Sequence, residues 1–141
     1  MREFVVNKRV ALNASPSVVW DALTNPEITK KYFFNCAVYS DWKEGSPIIF
    51  KGKIFLIKNI EMKGTIIKVE QDQLLKYTLK NGKSTSQSIV TDRLSYQDGQ
   101  TILSISDDVG EGEGVEKRHK RSLKGWDKIL KGLKEVVEKA E

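Results

Sequence analysis

The chain has 141 residues, with 24 Lys and Arg against 19 Asp and Glu and a net charge of +5, so a single domain over residues 1–141 is expected. Apolar residues at 39% and charged residues at 30% exclude a disordered chain and point to a folded globular one. About two thirds of the surface of such a chain is buried on folding, enough for a core without staples; the lone Cys36 and lone His119 exclude a disulfide framework and a Cys/His zinc set.

The first residues, Met1-Arg2-Glu3-Phe4-Val5-Val6-Asn7-Lys8-Arg9, contain no apolar signal-peptide core, and cytoplasmic residence is the expectation. Residues 4–12 read as a strand, in which Val6, Val10 and Leu12 alternate with Asn7, Arg9 and Ala11. Lys8 falls on the apolar side of that alternation, which predicts a strand end or a bulge there. Ser15-Pro16 is a cap followed by proline at the first helical position, where its missing N–H costs nothing. A short helix through Val18, Val19, Ala22 and Leu23 follows. Asn25-Pro26 repeats the signal and starts a second short helix ending near Lys31.

From Ala37 to about Asp107 the chain reads as strands and turns. Lys43-Glu44-Gly45-Ser46, Asn81-Gly82 and Asp98-Gly99 are turn signals, the last two favouring tight hairpins because they tolerate positive φ. Short turns imply antiparallel pairing. The longest apolar runs, such as Ile54-Phe55-Leu56-Ile57, are far below the ~20 residues of a membrane span, so no membrane insertion is expected. Around Gly64 the apolar phase shifts from Ile60 and Met62 to Ile67 and Val69, which predicts a β-bulge at the glycine. Leu75, Tyr77 and Leu79, and again Leu103 and Ile105, alternate with polar residues and so give one buried and one wet face. Residues 107–114, with Asp107, Asp108, Glu111 and Glu113 among three glycines, read as an acidic loop.

Beyond that loop the period becomes helical to the end of the chain: Val115, His119, Ser122/Leu123, Trp126, Ile129/Leu130, Leu133 and Val136/Val137 recur at spacings of three and four. About 25 residues at 1.5 Å each give a helix of about 37 Å, long enough to cross a small domain. The expected fold class is therefore α+β: a curved antiparallel β-sheet wrapped around a long C-terminal helix, with two short helices after the first strand. Such a grip tends to leave a tapered apolar space between sheet and helix, where small ligands bind.

At this point the sequence resembles the SRPBCC/START-like superfamily with its helix-grip fold. It is most similar there to bacterial homologues of the activator of the ninety-kilodalton heat-shock chaperone ATPase. The resemblance rests on the stretch from Ala14-Ser15-Pro16 to Thr24-Asn25-Pro26, on Gly64-Thr65-Ile66-Ile67 with Leu75-Lys76-Tyr77-Thr78, and on Gly125-Trp126-Asp127-Lys128-Ile129-Leu130-Lys131-Gly132. These are scaffold signatures rather than a catalytic motif. The resemblance implies non-catalytic binding of a small hydrophobic or lipid-like molecule under the helix. Its alternatives are a stress-response protein that contacts a chaperone, and a cyclase- or hydrolase-like enzyme. Fold alone does not choose among them.

The large side chains phased onto the inner faces are Trp42, Phe50, Met62, Tyr77, Leu94, Tyr96, Trp126 and Leu130. They either line a ligand cavity with polar tips or fill the space completely. Strict alternation with Val90, Leu94 and Tyr96 places Asp92 on the same face, where burial would raise its pKa unless it is paired. His119, on the apolar stripe of the last helix, is its candidate partner. The alternatives are a bulge that turns Asp92 outward, or an aspartate held by Arg93 or a turn amide. Cys36 reads as a packing residue. No nucleophile elbow, Ser-His-Asp context or phosphate loop occurs, no cofactor is expected, and an enzyme is the less favoured reading. Between Lys117 and Lys134 lie eight cations and one acid, Asp127. Without interleaved aromatics this stripe reads as a solvated outer face, so no nucleic acid is expected as a partner. Phe33 and Phe34 offer a surface for pairing, and the chain is expected as a monomer or a homodimer.

Overall fold

The computed structural model describes residues 4–54, 58–80 and 87–139. In chain order the elements are β1 (Val5–Leu12), α1 (Pro16–Thr24), α2 (Pro26–Tyr32), β2 (Ala37–Ser40), β3 (Pro47–Ile54), β4 (Lys58–Glu70), β5 (Leu74–Lys80), β6 (Gln87–Gln97), β7 (Gln100–Asp108) and α3 (Val115–Lys139). The strands form one seven-stranded antiparallel sheet in the order β1-β7-β6-β5-β4-β3-β2. This curved sheet with its long C-terminal helix and two short helices after the first strand is the helix-grip arrangement.

Local chemistry sets the element ends. The Ser15 side chain accepts from the Val18 N–H at 3.3 Å and caps α1. Asn25 ends α1, and its side-chain oxygen accepts from the Glu27 N–H at 3.0 Å to start α2, so one residue closes one helix and opens the next. Gly45 turns the chain between β2 and β3 with φ +85. Asp98 and Gly99, with φ +52 and +79, make the two-residue hairpin between β6 and β7, whose handedness matches the strand twist. The apolar run over 54–57 and the Asn81-Gly82 turn fall at or beyond the edges of the described residues.

Three local expectations are corrected. Lys8 interrupts nothing: the β1–β7 register runs unbroken from Val5↔Asp108 to Leu12↔Thr101. Its stem lies along the helix side of the sheet and its ammonium reaches Asp127 of α3 at 2.9 Å, a long side chain burying its stem and keeping its charge paired. The bulge is not at Gly64, which pairs regularly with Ile48. The register slips between Ile66 and Lys68, so Ile67 turns outward and is 40% exposed instead of sharing the inner phase of Val69. Gly64 has a separate cause, since a Cβ there would lie 1.6 Å from the Thr78 carbonyl oxygen. Finally, Asp107 is not loop but the buried penultimate residue of β7.

The core sits between the inner sheet face and α3. Trp126, Ile129, Leu130, Leu133 and Val137 are its buried helical side chains, each contributing about 1.5–3 kcal/mol of transfer free energy. They meet Leu12, Phe50, Ile66, Leu75, Tyr77, Val90, Leu103 and Ile105 from the strands. The short helices close one end: the Tyr32 hydroxyl donates to the Ala22 carbonyl at 2.7 Å, and the buried Thr29 hydroxyl accepts from the Val38 N–H at 3.0 Å. Phe33 is half-buried rather than offered for pairing. Its ring packs on Phe50 at 5.1 Å and on Trp126 at 6.0 Å, while Phe34 beside it stays 47% exposed.

Candidate functional site

Of the concavities along α3, two that share a wall differ in kind. The inner one lies directly beneath the helix, among Tyr32, Phe33, Phe50, Leu75, Tyr77, Asp92, Trp126, Ile129, Leu130 and Leu133, and its volume is about 20 Å³. That is room for roughly one water molecule, so the side chains fill the space the grip encloses. The outer one is an open groove of about 520 Å³ between the first half of α3 and strands β4 to β7, within the range of small-molecule sites. Its apolar walls are Phe33, Phe34, Met62, Leu79, Val90, Val109, Trp126 and Ile129, and its polar members are Lys80, Ser88, Asp107, Arg118, Arg121 and Ser122. Trp126, Phe33 and Ile129 line both and form the wall between them.

The expected site residues divide accordingly. Phe50, Tyr77, Asp92, Trp126 and Leu130 surround the inner cavity, and Met62 and Trp126 line the groove. The other four stand apart from both. Trp42, in the β2–β3 loop with φ +56, packs on the core edge. Leu94 is a buried core residue facing a polar hollow near Gln73 and Arg93. Tyr96 continues the β6 alternation but sits one residue before the hairpin end, where nothing covers it, and is 59% exposed. His119 packs edge-on against Phe4 at 5.7 Å and makes no hydrogen bond or ion pair with Asp92 among the described residues.

Asp92 does face the interior, as alternation requires, and its neighbour is a second carboxyl rather than an imidazole. The β6–β7 register sets Asp107 opposite Val90 and Asp92 opposite Ile105, so the two aspartates are diagonal neighbours on one face. Burial, with Asp107 beside it, pushes Asp92 up to about 7. Asp107 is raised by burial and pulled back by two donors: the Ser122 hydroxyl at 2.6 Å and the Trp126 indole N–H at 2.8 Å, both to Oδ2. The positive charge of His119 lowers Asp107 rather than Asp92. On both aspartates Oδ1 is buried without a hydrogen-bond partner among the described residues. The buried Tyr77 hydroxyl is held well above its ordinary pKa by burial and by these carboxyls, and Tyr32 is raised likewise by burial and Asp92. Asp92 lines the closed cavity and Asp107 the open groove; of the two, Asp107 is the carboxyl that faces the larger space.

The groove residues were legible only in part. The signal for Asp107 was the period of two from Thr101 through Leu103 and Ile105, which continues one step into the acidic stretch. Arg118 and Arg121 are three residues apart and each sits four residues before a groove member, Ser122 and Gly125, on one side of α3, so they belong to the groove stripe rather than the outer face. Arg118 is also held in place. Its guanidinium donates to the carbonyls of Val109, Glu111 and Glu113 at 3.3, 3.0 and 2.8 Å. The backbone carbonyls of the acidic loop thus wrap a cation of its own chain.

A seven-stranded antiparallel sheet gripping a long C-terminal helix, with an apolar groove beside that helix, defines a helix-grip protein. The family described as activator of Hsp90 ATPase homolog 1-like protein matches residues 13–138, and the chain belongs to that family. A solution structure of a Cytophaga hutchinsonii protein is 33% identical over 99% of this chain and 97% of the other, with a TM-score of 0.77. Crystal structures from Nitrosomonas europaea (18% identical, 99% and 97% covered, TM-score 0.82) and Micromonospora echinospora (22%, 94% and 75%, 0.75) share the fold. Comparison with curated proteins gives no match. No helix among the described residues is long and apolar enough to cross a membrane.

Proposed function

We propose that this protein is a non-catalytic, cytoplasmic binder of a small hydrophobic molecule, and that the molecule sits in the groove beside the first half of α3 rather than beneath the helix. The observation that carries the reading is the contrast between a filled interior of about 20 Å³ and an open, mostly apolar groove of about 520 Å³. Most soluble proteins keep such apolar concavities small, and larger ones mark binding sites. The test uses a neutral probe, Nile red, whose fluorescence rises in an apolar site. A Cβ at Gly125 would lie 3.7 Å from the Phe34 ring, so a leucine there projects into the groove without disturbing the core. Gly125→Leu is expected to keep its circular dichroism spectrum and weaken Nile red at least about tenfold. Undiminished binding by the folded variant would overturn the site.

The family's description favours a second reading, contact with a chaperone. The surface for it is the outer face of α3, where Lys117, Lys120, Lys124, Lys128 and Lys131 are exposed. Salt-sensitive capture of a purified ninety-kilodalton chaperone, unchanged by Gly125→Leu, would support it; no capture at low salt would end it.

A further inference from the structure

The groove is charged in one direction. At its inner end Asp107, 7% exposed, carries an oxygen with no hydrogen-bond partner among the described residues. At its mouth stand three cations, Lys80 at the end of β5 and Arg118 and Arg121 in the second turn of α3. Neither Lys80 nor Arg121 has a carboxylate partner among the described residues. Arg118 spends three donors on loop carbonyls, and a guanidinium has five. It therefore keeps two N–H groups while being fixed in orientation, which lowers the entropy lost when it binds an anion. Trp126 and Arg118 are eight residues apart on one helix, about 12 Å at 1.5 Å per residue, and Met62, Leu79 and Phe34 line the same interval.

We infer that the groove takes an amphipathic organic anion, with its carboxylate at Arg121, Arg118 and Lys80 and its apolar body running inward along Leu79 and Met62 to Trp126. This rests on the groove being a ligand site, as proposed above, and adds the chemical class and direction of entry. The cations at the mouth attract one anionic group and offer it charge-assisted hydrogen bonds. The buried oxygen of Asp107 penalises a second anion at the inner end, because two sets of lone pairs would meet with no donor between them. Single-headed amphiphiles are thus favoured over dianions, and entry is tail first.

The experiment is a titration of the full chain with dodecanoate, followed by calorimetry with the summed tryptophan fluorescence as a second readout, against 1-dodecanol as the neutral analogue. Arg121→Gln and Lys80→Gln are made singly and together; Arg118 is left alone because it also holds the loop. The expected result is that dodecanoate binds at least about tenfold more tightly than dodecanol, that the double variant removes this difference, and that its affinity for dodecanol is unchanged. Equal binding of the two probes, or a preference that survives the double variant, overturns the anion site while leaving the groove reading standing. Failure of both probes and of Nile red overturns the groove itself. Association only with phosphatidylglycerol vesicles, unaffected by Gly125→Leu, assigns the cations to a bilayer surface and overturns the inference.

Discussion

Asp107 and Asp92 are one diagonal step apart, yet their surroundings treat charge differently. Asp107 places Oδ2 between a hydroxyl and an indole N–H, whereas Asp92 has no hydrogen bond among the described residues and only a small cavity beside it. A carboxyl desolvated in this way keeps its proton, and burial with Asp107 nearby raises it to about 7. The folded protein then binds a proton that the unfolded chain has released. The stability from that difference is fully present below the ordinary aspartate value of 3.8 and is lost as pH rises through about 7. Converted at about 1.4 kcal/mol per pKa unit, the chain is expected to be about 2–3 kcal/mol less stable at pH 8 than at pH 5. Urea midpoints across that range would show it, and Asp92→Asn should flatten the slope, leaving the part contributed by Asp107. A slope unchanged in the variant would mean that Asp92 is ionised in the fold. That Asp92 faces inward followed from alternation with Val90 and Leu94. Its true neighbour did not, because Asp107 lies 15 residues on in an acidic run, and only the hairpin register brings the two together.

One helix serves two neighbours, and its two interior glycines record the difference. Gly132 lies where α3 crosses α2: a Cβ there would sit 2.9 Å from the Tyr32 Cβ, and Tyr32 cannot retreat because it is buried and its hydroxyl is tied to Ala22. Gly125 lies where α3 faces the groove, with the Phe34 ring at an ordinary 3.7 Å. Alanine is favoured over glycine in a helix interior by about 0.8–1 kcal/mol. Gly125→Ala is therefore expected to raise the thermal midpoint by a few degrees. In Gly132→Ala the same gain is outweighed by about 1–3 kcal/mol of overpacking, and the midpoint falls. Equal shifts in one direction would refute the distinction. At this scale much was legible in the sequence: two cap-and-proline pairs, strand alternation and a 25-residue amphipathic helix are local signals, each with a local cause. The misplaced features were those set by distant partners. The bulge fell at Ile67 rather than Gly64 because a phase shift is visible in one strand but its position is fixed by pairing with β5. Lys8 looked anomalous because its partner, Asp127, is 119 residues away.

The whole molecule separates the part that holds it together from the part that is left open as a groove. Beneath α3 the sheet is curved tightly enough that Phe50, Tyr77, Trp126 and Leu133 meet, and the enclosed space shrinks to the size of a water. Towards the N-terminal end of the helix, strands β4 to β7 and the helix part, and the apolar surface they leave is the groove. An inner-face residue list drawn from phase alone mixes both regions with residues beyond the cover, such as Tyr96, because phase gives the side of a sheet but not the distance to the layer above it. The separation makes a paired prediction. Leu133 is fully buried and lines only the inner cavity; Leu133→Ala should cost about 2–5 kcal/mol of stability while leaving Nile red affinity unchanged in the folded population. Met62 is half-buried and lines the groove; Met62→Ala should cost about 1 kcal/mol and weaken Nile red several-fold through lost apolar contact. The two are read together, from urea midpoints and probe titrations on the same samples. If Leu133→Ala lowers affinity as much as Met62→Ala does, core and groove are one compartment, and the bound molecule reaches beneath the helix after all.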